Sequence, residues 1–144
     1  MNPEMESYEI STDRARLDLG FIGRVLAGSY WAQDRPHSVV EKSIRNSHCF
    51  GIYEKRTGRQ VGFARVVTDG ATIAWLGDVI VDDAHRGKGL GKSLMANVVE
   101  FLERNGTTCV LATRDAQGLY EKYGFVRTEY MKRTLGAQAV GPGP

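Results

Sequence analysis

Residues 78–95 read as a strand, a glycine-rich basic turn and the start of a helix. Val79-Ile80-Val81 is a short β-branched run, and Asp82, Asp83 and Gly87 break it. Apolar residues then recur at Leu90, Leu94, Val98, Phe101 and Leu102, which is helical spacing. Gly87, Gly89 and Gly91 let a backbone approach a ligand closely. The first amides of the helix have no intrahelical partner, so the turn suits an anion, usually a phosphate. His85, Arg86, Lys88 and Lys92 surround it with positive charge. A polyphosphate-bearing ligand is the partner this segment implies.

Three phosphate-loop patterns compete for these residues. A P-loop ends as Gly91-Lys92-Ser93 does, but its first glycine falls at Arg86, which disfavours a nucleotide hydrolase. The dinucleotide fingerprint is met at Gly87 and Gly89 but fails at Lys92. The third pattern, Arg/Gln-x-x-Gly-x-Gly/Ala, is met in full by Arg86, Gly89 and Gly91. Here the chain resembles the GNAT superfamily of acyl-CoA-dependent N-acetyltransferases. A later segment, Leu119-Tyr120-Glu121-Lys122-Tyr123-Gly124-Phe125, is similar to that superfamily's aromatic short helix closing on Gly-Phe. The two motifs stand in the expected order, with room between them for one helix and one strand.

The rest of the chain supplies elements in the same order. A first strand falls near Tyr8-Glu9-Ile10. Asp18 caps a helix with Phe21, Ile22, Val25 and Leu26 on one face, and Pro36 opens a second with Val39, Val40 and Ile44 inward. Strands are predicted over 49–54, 61–67 and 72–81, with turns at Thr57-Gly58 and Asp69-Gly70. A helix follows over 89–104, then a strand over 108–112, a short helix over 117–122 and a last strand over 125–131. A meander followed by alternating helix and strand predicts a mixed α/β (α+β) sheet flanked by helices. The resemblance implies that this sheet is splayed at its centre, with acyl-CoA in the cleft. One domain over 1–135 is expected, with a disordered Gly/Pro/Ala-rich tail over 136–144.

Composition narrows the partners. The 144 residues are enough for a real core, and a net charge of +2 gives no argument for nucleic acid. No stretch is long and apolar enough to span a bilayer, so no membrane partner is expected. Cys49 and Cys109 are far apart and lack metal-ligand spacing, so free thiols in a reducing cytoplasm and no metal are expected.

The resemblance implies roles residue by residue. Backbone amides across Arg86, Gly87, Lys88, Gly89, Leu90, Gly91 and Lys92 would cradle the pyrophosphate of acetyl-CoA, the cosubstrate. Backbone groups of the Val79-Ile80-Val81 strand would pair with its pantetheine arm, and one amide there would polarise the thioester carbonyl. Tyr120, four residues before Gly124-Phe125, takes the place of the general acid; a phenol with a pKa of about 10 is protonated at neutral pH. Its other reading is packing of the short helix, which is favoured for Tyr123. Asp78 is the nearest carboxylate for a general base, although strand alternation turns it away unless a bulge reverses the face. Capping, salt-bridging or substrate binding are its alternatives. Asp115 is read as a helix cap or a cofactor contact. Tyr30, Trp31, Arg65 and Trp75 are candidates for the acceptor wall, and aromatic plus acidic residues would suit a small cationic amine. The acceptor, a small-molecule or peptide amine, is not named by the sequence. A CoA-binding sensor without turnover is the alternative function, and homodimers are frequent in the superfamily.

Overall fold

The computed structural model describes residues 6–138. Its elements are β1 (Tyr8–Ser11), α1 (Leu19–Ala27), α2 (His37–Arg45), β2 (His48–Glu54), β3 (Gln60–Thr68), β4 (Ile73–Val81), α3 (Leu90–Asn105), β5 (Thr108–Val110) and α4 (Gln117–Glu121). The five strands form one mixed sheet in the order β1-β2-β3-β4-β5, antiparallel except for the parallel β4–β5 pair. Among the described residues no helix is long and apolar enough to cross a membrane.

Helices cover both faces of the sheet. α3 repeats Leu90, Leu94, Val98 and Leu102 at four-residue intervals, and all four are buried on one face with Phe50, Ile52 and Leu76. Gly106 ends α3 at φ +65, where the Gly106 amide donates to Glu103 and the Thr107 amide to Leu102, the Schellman arrangement. α1 and α2 bury Ile22, Leu26, Val40 and Ile44 against Cys49 and Phe63 on the other face. The Asp18 carboxylate caps α1 by accepting the Phe21 amide, as its position in the sequence predicts.

Two elements differ from expectation. β5 stops at Val110, two residues short, because the chain there turns away from β4. The last predicted strand, 125–131, is irregular. Val126 and Met131 are exposed, and the segment has no strand to pair with among the described residues, so its strand propensity finds no ladder. The tail expected over 136–144 begins in a turn where the Ala137 amide donates to the Thr134 carbonyl; residues 139–144 lie outside the described residues.

Candidate active site

The site is a wedge in the sheet. β4 and β5 pair over three positions only, Ile73–Thr108, Ala74–Cys109 and Trp75–Val110. Beyond Trp75, β4 runs on to Val81 beside β3 alone. The resulting cleft has a volume of about 780 Å³; it is bounded by β4, by the chain after β5, by the α1–α2 loop and by Tyr120 of α4.

A bulge in β4 determines which side chains look into it. Phe63 pairs with Ile80 and Arg65 with Gly77, so Ala64 of β3 stands opposite both Asp78 and Val79. Asp78 takes φ +54, a left-handed conformation that aspartate tolerates better than most residues. Alternation is thereby shifted by one. Ala74 and Leu76 pack on the α3 side, and so do Val79 and Val81, while Ile80 packs toward α1 and α2. Asp78 is left on the α1–α2 side, as the bulge alternative requires.

There it is buried and fully engaged. Its Oδ2 accepts from Arg35 Nη1 at 2.8 Å and from Arg65 Nε at 2.6 Å, and its Oδ1 accepts from Trp31 Nε1 at 2.9 Å. Burial pushes this carboxyl up, but the hydrogen bonds and charges of the two arginines outweigh it and hold the group below its ordinary range. Arg65 Nη1 also donates to Ser47 Oγ at 3.1 Å. The absent side chain of Gly77 leaves room for the Trp75 indole and the Arg65 guanidinium; a Cβ there would lie 3.2 Å from Trp75 Nε1.

The glycine loop closes the other end of β4. The Asp82 amide donates to Val61, a 3-10 turn covers Asp83–His85, and Gly87 and Gly89 take φ +80 and +79 before α3 begins at Leu90. The Ser93 amide makes the first bond inside α3, to Gly89. The amides of Leu90, Gly91 and Lys92 precede it and have no partner within the helix. A Cβ on Gly87 or Gly91 would meet nothing within 4 Å, so the space over the loop is open. The Tyr8 hydroxyl ties the loop to β1, bonding His85 Nδ1 at 2.7 Å and Lys88 Nζ at 3.3 Å. Arg86 borders the cleft, donates from Nε to the Val81 carbonyl and pairs with Asp83.

The two tyrosines of the short helix segment differ. Tyr120 lines the cleft, and its hydroxyl has no hydrogen-bond partner among the described residues. Burial raises its pKa, with smaller contributions from Tyr30 and Asp115. Tyr123 instead donates its hydroxyl to the Lys92 carbonyl at 3.0 Å, fastening the end of α4 to α3. Asp115 does not cap α4: the Ala116 amide at the start of the helix is accepted by Thr113 Oγ1 at 3.1 Å. Burial pushes the Cys49 and Cys109 thiols to about 11, which leaves both protonated and unreactive at neutral pH. Among the described residues no group of His, Cys, Asp and Glu could hold a metal ion.

No motif or spacing in the sequence marks Arg35 or Arg114. Each stands in a polar loop, where an arginine looks like an ordinary solvated charge. Arg114 stacks over the Tyr30 ring, and Tyr30 packs edge-on against Trp31 at 5.0 Å.

Comparison with known proteins points one way. The acetyltransferase (GNAT) domain family matches residues 45–127. An acetyltransferase-named protein of Gibberella zeae is 30% identical over 94% of this chain and 90% of its own length. GCN5-related N-acetyltransferase 1 of Arabidopsis thaliana is 38% identical over 51% of this chain, a match covering 38% of that protein. A solved GNAT-family structure from Xanthomonas campestris pv. campestris superimposes with a TM-score of 0.83 at 43% identity, covering 89% of this chain and 93% of that one. A GNAT-family acetyltransferase of Elizabethkingia anophelis, solved with acetyl-CoA bound, shares the fold with a TM-score of 0.67 at 15% identity, over 86% of this chain and 79% of that one.

Proposed function

Because the chain belongs to the GNAT acetyltransferase family, we propose that it moves the acetyl group of acetyl-CoA to a primary amine by direct attack in a ternary complex. The observation that carries this reading is the wedge itself. An open glycine cradle lies at one end of an unpaired strand segment, and an unbonded tyrosine hydroxyl borders the same cleft.

Acetyl-CoA supplies an activated thioester when bound. The amides from Gly87 to Lys92 would hold its pyrophosphate, and the backbone of Val79, Ile80 and Val81 its pantetheine arm. A strand amide in that segment offers a donor to a developing oxyanion. Tyr120 keeps its proton at neutral pH, because burial raises its pKa, and so has one to give a departing thiolate. Asp78 holds the arginines in place. Its oxygens carry three donors and its pKa is lowered, so it is a weak proton acceptor, and we assign removal of the amine proton to water.

Thiol release from acetyl-CoA, followed across a panel of primary amines, tests the reading. Turnover with at least one amine supports it. Acetyl-CoA binding by calorimetry without turnover would favour the sensor alternative, and no binding would overturn both.

A further inference from the structure

We infer that the acceptor amine carries an anionic group, a carboxylate or a phosphate, bound by the guanidinium groups of Arg35 and Arg65. This rests on the acetyltransferase reading and names the class of its second substrate.

The cleft is basic. Among the described residues five basic side chains line it against two acidic ones; with Arg86 beside the glycine loop, Arg35, Arg65, Arg114 and Lys132 remain against Asp78 and Asp115. Asp78 adds no attraction for a cation. Its single charge lies between two guanidinium groups, and both oxygens already accept hydrogen bonds. The pair therefore keeps a surplus positive charge, at side-chain exposures of 21% for Arg35 and 14% for Arg65. A charge withdrawn from water without a counterion is costly, so an anion is the natural complement.

The donors are also in place. Arg35 uses only Nη1; among the described residues nothing bonds its Nε or Nη2. Two adjacent donors on a planar fork match a carboxylate or a phosphate. Asp78 fixes the orientation of that fork and of Arg65, so neither side chain has to be ordered on binding. Trp75 and Trp31 flank the arginines and supply apolar walls for the body of a small acceptor. A polycation would meet repulsion at the same place. The cationic acceptor suggested by aromatic plus acidic residues is therefore the reading the structure disfavours, because the acidic residue is already neutralised.

The test uses matched acceptors in the thiol-release assay. β-Alanine is compared with β-alaninamide, and 2-aminoethyl phosphate with 2-aminoethanol; 1,4-diaminobutane represents the cations. The expected result is a kcat/KM at least tenfold higher for the anionic member of one pair. The pair that shows it distinguishes a carboxylate from a phosphate. Arg35→Met should collapse that ratio, Arg35→Lys should restore part of it, and the acetyl-CoA Kd should stay at its wild-type value in both. Neutral or dicationic amines reacting as fast as the anionic ones would overturn the inference. So would a large loss of acetyl-CoA affinity in Arg35→Met, which would assign the cluster to the cofactor. If no amine reacts although acetyl-CoA binds, the transfer reading fails separately. Calorimetry of β-alanine and 2-aminoethyl phosphate against the CoA complex then decides the anion site: binding lost in Arg35→Met upholds it, and no binding removes it.

Discussion

The Arg114 guanidinium sits 3.6 Å from the centroid of the Tyr30 ring, and the Arg114 amide donates to the Tyr30 hydroxyl at 3.4 Å. The two residues belong to loops on opposite sides of the cleft, one between α1 and α2 and the other between β5 and α4. A cation–π contact at an exposed site contributes about 0.5–1 kcal/mol, or roughly a 2–5-fold change in an opening equilibrium. Tyr30→Leu removes the ring and the hydroxyl together, so it should accelerate amide exchange across residues 111–116 by at least that factor. Unchanged exchange would mean that the contact does not fasten the loop.

Tyr120→Phe should lower kcat by roughly 10²-fold or more, the scale of general acid catalysis, with little change in melting temperature or acetyl-CoA affinity. Only the protonated phenol can act, and its raised pKa extends that form to higher pH. Wild type should therefore keep activity into alkaline conditions and then lose it along a limb that Tyr120→Phe lacks. Tyr123→Phe should behave oppositely, losing about 0.5–1.5 kcal/mol of stability with its bond to Lys92 and little kcat. Equal kcat losses in both variants would reduce Tyr120 to packing.

Asp78→Asn keeps the left-handed backbone acceptable but strips the charge from a buried ion pair. The expected cost is about 3–5 kcal/mol, because two guanidinium groups lose their counterion. The sign with pH follows from the lowered pKa. Stability from Asp78 is present above the unfolded carboxyl pKa, about 3.9, and is lost as pH falls through the lower folded value. Urea unfolding at pH 7 and pH 3 should show the gap between wild type and Asp78→Asn narrowing in acid. A constant gap would separate the effect from ionisation.

The glycine loop yields a paired test. Gly89→Ala places a Cβ at φ +79 and should cost about 1–2 kcal/mol of stability. Gly91 has ordinary helical backbone and open space, so Gly91→Ala should leave stability equal or slightly higher. Gly91→Asp should keep the fold and abolish acetyl-CoA binding, since it sets a carboxylate where a phosphate must approach. Wild-type affinity of Gly91→Asp in calorimetry would remove the loop from the cofactor site.

The Tyr53 hydroxyl is buried without a hydrogen-bond partner among the described residues, and burial pushes its pKa up to about 12. Tyr53→Phe should raise stability by up to about 1 kcal/mol, since it removes a desolvated polar group that gains nothing in return. Gly51→Ala should destabilise, because its Cβ would collide with that same Tyr53 ring and hydroxyl. Thermal unfolding of the two variants should move in opposite directions.

What the sequence made legible was local. The Asp18 cap, the repeat of α3 and the Arg86–Gly89–Gly91 loop each lie within a few turns of chain, so spacing and turn chemistry suffice to read them. The Arg35–Asp78–Arg65 cluster draws one residue each from a loop, β3 and β4, and no short window contains it. Strand alternation alone put Asp78 on the wrong face, and only the mismatch between β3 and β4 turned it. The segment 125–131 has the composition of a strand, but a strand exists only where a neighbour can share its hydrogen bonds. At α4 the cap expected of the Asp115 carboxylate is absent, and the hydroxyl of Thr113 two residues earlier accepts the amide of Ala116, just before the first helical residue.

The extra residue in β4 puts two consecutive residues, Gly77 and Asp78, on the α1–α2 side of the sheet. A substitution at Asp78 breaks its hydrogen bonds to Trp31, Arg35 and Arg65 but leaves the residues after it facing as they do. A deletion at the same point would remove the bulge and leave Val79 alone opposite Ala64. The ladder would then alternate regularly, with Val79 and Val81 still on the α3 side and Ile80 still toward α1 and α2. Straightening β4 with Asp78 kept would instead turn every later residue over, so the left-handed turn at position 78, rather than the residue count, keeps each later side chain in its half of the cleft.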